Sequence, residues 1–330
     1  MRPQRLHRAL SAAIVLVTSS VVMLIPRVPA QASTYCHATM GGTFVPMDGW
    51  AATWNTARTD QEMAGMQGAG IRQIILQNAV DLNIHKAWYP QSRYPQGTNV
   101  VGNVASLAQR HNMSLVLGLA NDTTWWQHAT DPTWLMQHAR SNEAIADDLY
   151  RYVGPSIQAW YIPEEVDDYN MAYGPDLAPL KAYFTELTTY LHSHDGNKPV
   201  VSSPYFQGLA GLTTDAYAAA LRQTLTGVDV VNLQDGGGEL YIGGYRSPAA
   251  ITSLFQSVRN AFRGVATIWD DPDLYRMRIG PFPPVPLQAN LNAVCGLATF
   301  ITGFSYPSQL DPLNGETWWY NAYLSYLQHG

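Results

Sequence analysis

Paired carboxylates at the ends of apolar runs are the residues whose spacing could do chemistry. Glu164 and Glu165 close "WYIPEE", and Asp270 and Asp271 close "VATIWDD". Only 13% of the 330 residues are charged, and desolvating a carboxylate without a partner or a task is costly. Two carboxyl groups facing one another across a bound molecule are what hydrolysis of a glycosidic bond needs. One delivers a proton to the leaving oxygen, and the other acts as nucleophile or as base toward water. Successive strand residues point to opposite sides, so Glu164 and Glu165 should not share a pocket. Glu165 is assigned as the acid and Glu164 as its orienting neighbour. The second carboxylate is sought in Asp271 or Asp270, with Asp235 of "NLQDGGG" as a rival. Its glycines suit close approach of a ligand or a tight turn equally.

Neutral and aromatic groups surround these candidates. Gln77, Asn121, Tyr161, Tyr205 and Gln234 fall at or just past strand ends and suit sugar hydroxyls; Trp125, Trp126 and Trp269 offer stacking faces, as do Trp88 and Trp160. Core packing is the other reading of any single one of these tryptophans. For the Glu pair the bland reading is a solvated loop capping the next helix. For "DDPD" it is turn chemistry or a calcium site, and a metal-assisted hydrolase built on the same four residues is a further reading. Otherwise metal ligation has little to rest on: His192 and His194 are two apart near a helix end and diverge, and the two cysteines are too distant for a zinc knuckle. No cofactor is called for.

Eight β-rich runs must position these residues. They begin at Gly42, Ile71, Ser114, Ile157, Pro199, Asp229, Val265 and Phe300. Helical periodicity follows each: Thr59–Gln67, Val100–His111, Asp131–Tyr152, Leu177–Ser193, Thr214–Leu225, Pro248–Phe262, Leu287–Gly296 and Glu316–Gln328. Eight strand–helix pairs in an α/β chain predict a single-domain (β/α)8 TIM barrel over residues 33–330. A doubly wound sheet is the runner-up, but the glycine-rich phosphate loop usual after its first strand is missing. Helix-to-strand links are short ("GAG", "HNM", "TGV"). Strand-to-helix links are long and carry the unusual residues ("NDTTWWQHATDP", "EEVDDYNMAYGP"). In such a barrel the long set forms the face where active sites are built.

Residues 1–32 pair a basic start with an apolar stretch and a small-x-small motif, Ala30-Gln31-Ala32, predicting a signal peptide. A retained anchor is the rival, although Pro26 and Pro29 interrupt the run before it reaches a spanning length. After cleavage no stable membrane insertion is expected, and the protein is read as extracellular. In an exported chain Cys36 and Cys295 are expected to pair, joining strands 1 and 8; two free thiols are the alternative. A net charge of −6 with 19 Lys and Arg leaves no basic stripe for nucleic acid.

From Gly42 to Tyr306 the chain resembles a bacterial family catalogued as a domain of unknown function and regarded as a glycoside-hydrolase-like TIM barrel. The resemblance rests on "GGTFVPMDGWAATW", "WYIPEEVDDYN", "PVVSSPYF" and "DVVNLQDGGG". It implies the barrel and a sugar substrate. In the wider glycosidase superfamily of similar layout, acid and nucleophile stand on strands 4 and 7, the acid a Glu preceded by Asn and the nucleophile a Glu. Here Pro163-Glu164-Glu165 and Asp270-Asp271 stand instead. The sequence thus points to an exported glycoside hydrolase acting on an oligo- or polysaccharide, with a non-catalytic glycan-binding barrel as the alternative.

Overall fold

The computed structural model describes residues 36–330 apart from 48, 50, 92, 174–175, 195, 209, 240–244, 278–279 and 330, and of residues 172 and 173 the backbone alone. The expected signal peptide lies outside the described residues. Among the described residues no helix is long and apolar enough to cross a membrane.

Seven strands form one parallel sheet in chain order: β1 (Gly42–Val45), β2 (Gln73–Leu76), β3 (Ser114–Gly118), β4 (Ile157–Ile162), β5 (Val200–Ser202), β6 (Val230–Gln234) and β7 (Thr267–Asp271). The register brings Leu76 beside Leu117, Gly118 beside Tyr161, Ile162 beside Ser202 and Gln234 beside Asp271. Their C-terminal ends therefore open toward one face.

The longer helices are α1 (Thr56–Gly68), α2 (Val100–Ala108), α3 (Pro132–Val153), α4 (Ala178–His194), α5 (Thr214–Thr224), α6 (Pro248–Ala261), α7 (Pro284–Ala293) and α8 (Thr317–His329). Their starts follow local chemistry. Before α3, Asp131 accepts hydrogen bonds from the backbone N–H of Thr133 and Trp134, at 2.9 and 3.1 Å, and Pro132 opens the helix. Ser247 and Pro248 do the same for α6. Both pairings put a side-chain acceptor on otherwise orphaned N–H groups and a preset φ at the first helical position.

Alternation along the strands separates two cores. Phe44, Ile75, Val116, Tyr161, Val201 and Val230 make an inner cluster, with Trp269 and Phe304 packed against it. The intervening residues, Ile74, Leu115, Trp160, Val200 and Leu233 among them, join the larger core under the helices. Such a two-sided sheet reads as unbroken apolar runs, which is why those runs marked the strands.

The eighth strand expected from Phe300 is corrected. Residues 299–304 make isolated parallel bridges, Asp270 to Ile301 and Asp273 to Phe304, rather than a regular strand. They still hydrogen-bond on both sides. Thr302 N donates to Asp270 O at 2.8 Å, Gly42 N to Ile301 O at 3.1 Å and Phe44 N to Gly303 O at 3.0 Å. Side chains take part of the ladder: Thr43 Oγ1 donates to Gly303 O and accepts from Tyr306 N, each at 2.9 Å. A Cβ on Gly303 would lie 2.7 Å from the Met40 sulfur, so a larger residue there has to displace that side chain.

Cys36 and Cys295 form a disulfide across a sequence separation of 259, with Cα atoms 6.3 Å apart. A small sheet on the β2 and β3 loops left no signal in the residue pattern. There Val80–Asp81 pairs antiparallel with Lys86–Ala87 and parallel with Ala120–Asn121. Two-residue strands carry no readable period.

Candidate active site

Strand β4 runs on into Pro163-Glu164-Glu165, and its alternation continues to send the two carboxylates to different layers. Tyr161 is on the inner row and Trp160 and Ile162 on the outer. Glu164 continues the outer row and is buried among helices: His138 of α3 donates from Nε2 to Oε1 at 2.5 Å, and the Tyr183 hydroxyl of α4 donates to Oε2 at 2.7 Å. Burial opposes charge on His138, but the Glu164 carboxylate outweighs it and raises the imidazole above its ordinary value. Glu164 is therefore a held, structural carboxylate.

Glu165 continues the inner row and lines a cleft of about 290 Å³ on the C-terminal face. Burial pushes its carboxyl up to about 7; a hydrogen bond from Gln234 opposes the shift, and the nearby Asp167 and Glu239 carboxylates add to it. That is the behaviour of a group able to hold a proton at neutral pH and release it. Gln234 also donates from Nε2 to Ser203 O at 3.0 Å, which anchors the amide beside Glu165.

Gln77, Asn121, Trp125 and Trp126 line the same cleft. Trp126 is 38% exposed, so its face is open, whereas Trp125 is 3% exposed and packs against it with ring centroids 4.6 Å apart. Gly118 is forced at the floor. A Cβ there would sit 2.1 Å from the carbonyl oxygen of Gln77, so only glycine lets β3 approach the backbone that carries this cleft amide.

Opposite β4, Trp269 packs against the inner cluster, so Asp271 lies on the inner row and Asp270 on the outer. Asp271 Oδ2 is 3.2 Å from Ser203 Oγ and its Oδ1 is 3.3 Å from Thr302 Oγ1. Burial raises it well above the carboxylate range; the Ser203 hydrogen bond opposes this, and the charges of Asp235 and Glu165 reinforce it. Asp270 is fully buried with neither oxygen hydrogen-bonded. Burial and then the Asp235 carboxylate also raise it well above its ordinary range.

Asp235 accepts from the Gly237 and Asp273 backbone N–H groups at 2.7 and 3.3 Å, closing a turn between the β6 and β7 loops. The glycines after it serve the protein's own packing, since a Cβ on Gly238 would lie 1.8 Å from Tyr275 O. Among the described residues no three His, Cys, Asp or Glu side chains are arranged to hold a metal ion.

Other expected contact residues sit elsewhere. Tyr161 is 1% exposed beneath the cleft, its ring edge-on to Phe44 at 5.2 Å. Trp269 packs on Phe300 at 5.0 Å. Trp88 and Trp160 are buried in the core under the helices, because a large apolar ring on the outer layer gains most by burial there. Tyr205 is half-buried on the β5 loop, where its N–H donates to Val166 O at 3.0 Å and its carbonyl accepts from the Tyr217 hydroxyl at 2.9 Å.

Sequence reading missed Asn78, Asp81 and Thr123, which also line the cleft. It missed His138, Asn142 and Tyr183 behind it as well. A signal for two of these existed: His138 and Asn142 lie four apart among the buried residues of α3, and a polar pair on an apolar helix face asks for a partner.

The profile of the family described as "Domain of unknown function (DUF4434)" matches residues 40–312. No curated protein matches the chain. Among solved structures, a Bacteroides thetaiotaomicron VPI-5482 protein provisionally described as an alpha-L-fucosidase superposes with a TM-score of 0.73. It is 16% identical, and the match covers 89% of this chain and 96% of that one. The endo-1,4-beta-D-mannanase of Thermotoga petrophila RKU-1 matches at TM-score 0.58 and 12% identity, covering 81% and 88%. A chitinase from Pseudoalteromonas aurantia matches at 0.54 and 12%, covering 86% and 98%. These likenesses establish a fold shared with glycoside hydrolases having TIM-barrel-like architecture.

Proposed function

The chain belongs to the DUF4434 family, and from that premise we propose that it is an exported glycoside hydrolase. Its residues 1–32 act as a signal peptide, and residues 299–304 complete an eight-staved barrel. The observation that carries the reading is Glu165: of two adjacent glutamates it alone lines an amide- and tryptophan-lined cleft, with a carboxyl pushed up to about 7.

In the mechanism, Glu165 donates its proton to the glycosidic oxygen as the bond from that oxygen to the anomeric carbon breaks. The second carboxylate, Asp271, either attacks the anomeric carbon itself or takes a proton from the water that does so. Gln234 holds Glu165 in place by hydrogen bonding, and Ser203 and Thr302 hold Asp271. Trp126 supplies an open stacking face, while Gln77 and Asn121 supply donors and acceptors for hydroxyls. Trp125 backs Trp126, and Tyr161 packs edge-on to Phe44 in the inner cluster.

One observation favours the second reading, a barrel that holds glycans without cutting them. Asp271 is buried, and that burial raises its carboxyl well above the ordinary range, which disfavours the charged form a nucleophile or base requires. Release of reducing ends from a panel of polysaccharides by residues 33–330 separates the two. Release by the native chain that Glu165→Gln abolishes supports the hydrolase; binding with no release supports the holding protein.

A further inference from the structure

The cleft has a one-sided charge. Among the described residues that line it, Asp81 and Glu165 bear carboxyl groups, the amides are neutral, and none is Lys, Arg or His. Two arginines of the neighbouring loops are engaged with the protein itself. Arg246 donates to the carbonyls of Asp235 and Phe206, and the Arg276 guanidinium lies 4.6 and 4.5 Å from the Tyr245 and Phe282 ring centroids. A uronate, sulfate or phosphate on a bound sugar would lose hydration in this cleft and meet like charge in place of a partner. That combination is how a site rejects a ligand as well as selects one.

We infer that the cleft selects glycans free of acidic groups, and that Asp81 is a specificity-determining residue that enforces the exclusion. The inference rests on the glycan reading above and names the substrate class of that same cleft as neutral or amine-bearing.

Asp81 also has a structural task, and the two roles separate cleanly. Its Oδ1 accepts from the Asn83 and Ile84 backbone N–H groups at 2.9 and 3.3 Å, and from Asn83 Nδ2 at 3.2 Å. These bonds shape the turn between the two-residue strands Val80–Asp81 and Lys86–Ala87. Asparagine makes the same turn through its own side-chain oxygen. Asp81→Asn therefore removes the charge and keeps the acceptor.

The test uses the Glu165→Gln form of residues 33–330, so that nothing is cut and Asp81 is the carboxylate left on the described cleft lining. It is titrated calorimetrically with neutral, carboxymethylated and amino derivatives of each polysaccharide backbone, at low and at high salt. The expected result is binding of the neutral and amino derivatives of a backbone, with its carboxymethylated form weaker by about fivefold or more at low salt. That gap should shrink at high salt. Adding Asp81→Asn narrows the gap by about fivefold; Asp81→Ser, a second neutral acceptor, gives the same narrowing, and Asp81→Glu keeps the gap. Carboxymethylated glycan binding as tightly as neutral, or an unchanged gap in folded Asp81→Asn and Asp81→Ser, overturns the inference while leaving the glycan cleft standing. Failure of every derivative to bind overturns the glycan reading, and the inference with it.

Discussion

His138 Nε2 lies 2.5 Å from Glu164 Oε1, and both side chains are buried in the layer between β4 and its flanking helices. The pair belongs to a brace behind the cleft. Tyr183 donates to the other Glu164 oxygen; Asn142 Nδ2 is 3.4 Å from the Tyr183 hydroxyl; and Asn142 Oδ1 accepts from Ala120 N at 2.9 Å. Ala120 precedes Asn121 and Glu164 precedes Glu165. One buried network thus fixes the backbone beneath two cleft residues carried by different strands.

His138→Gln is expected to destabilise the protein by about 3 kcal/mol, because it leaves a buried carboxylate short of its cationic partner. Tyr183→Phe costs less, about 1–2 kcal/mol, since one neutral donor is lost. The imidazole's pKa is raised on folding. Its contribution is therefore full below the unfolded value of about 6.5 and disappears as pH rises through the folded value. Urea unfolding of native and His138→Gln protein from pH 6 upward should show the difference shrinking at the alkaline end.

Glu165→Gln should lower the rate of reducing-end release by about 10²- to 10⁴-fold without unfolding the chain. As the acid must be protonated, native activity should fall as pH rises above about 7. The same raised pKa makes the ionised group a burden on folding at high pH. At pH 8 the Glu165→Gln form is expected to melt higher than the native protein, and differential scanning calorimetry would register this.

The two strand-β7 aspartates should separate in function. Asp271→Asn removes the inner carboxylate and is expected to cost roughly 10³-fold in activity. Asp270→Asn, on the outer row, should leave activity within about threefold. Because burial raises Asp270 well above its ordinary range, its stabilising share is present at low pH and lost as pH rises. Asp270→Asn should accordingly unfold later than native protein in alkaline solution. Equal activity losses in the two variants would refute the assignment of rows.

Reduction of the Cys36–Cys295 bond, or its replacement by serines, should lower stability by about 3 kcal/mol, because a long loop is released in the unfolded chain. Thermal melting with and without reductant checks the value. Activity at 25 °C should change little, since neither cysteine lines the cleft.

Much of the architecture was written locally. Apolar runs with helical segments between them marked the seven regular strands of the sheet and the eight longer helices, and the two-residue period of a strand separated Glu165 from Glu164. Irregular backbone was not legible: residues 299–304 bond to Asp270 on one side and to Gly42, Thr43 and Phe44 on the other, partners set by distant chain. Nor could spacing place Tyr161 beneath the cleft and Trp126 open to it, or put Asp81 on its wall and His138 against Glu164. Residue type and period determine which way a side chain faces from its own strand or helix. What it meets there, how deeply it is buried and hence where its proton sits depend on segments far away in sequence, and only the tertiary structure decided them.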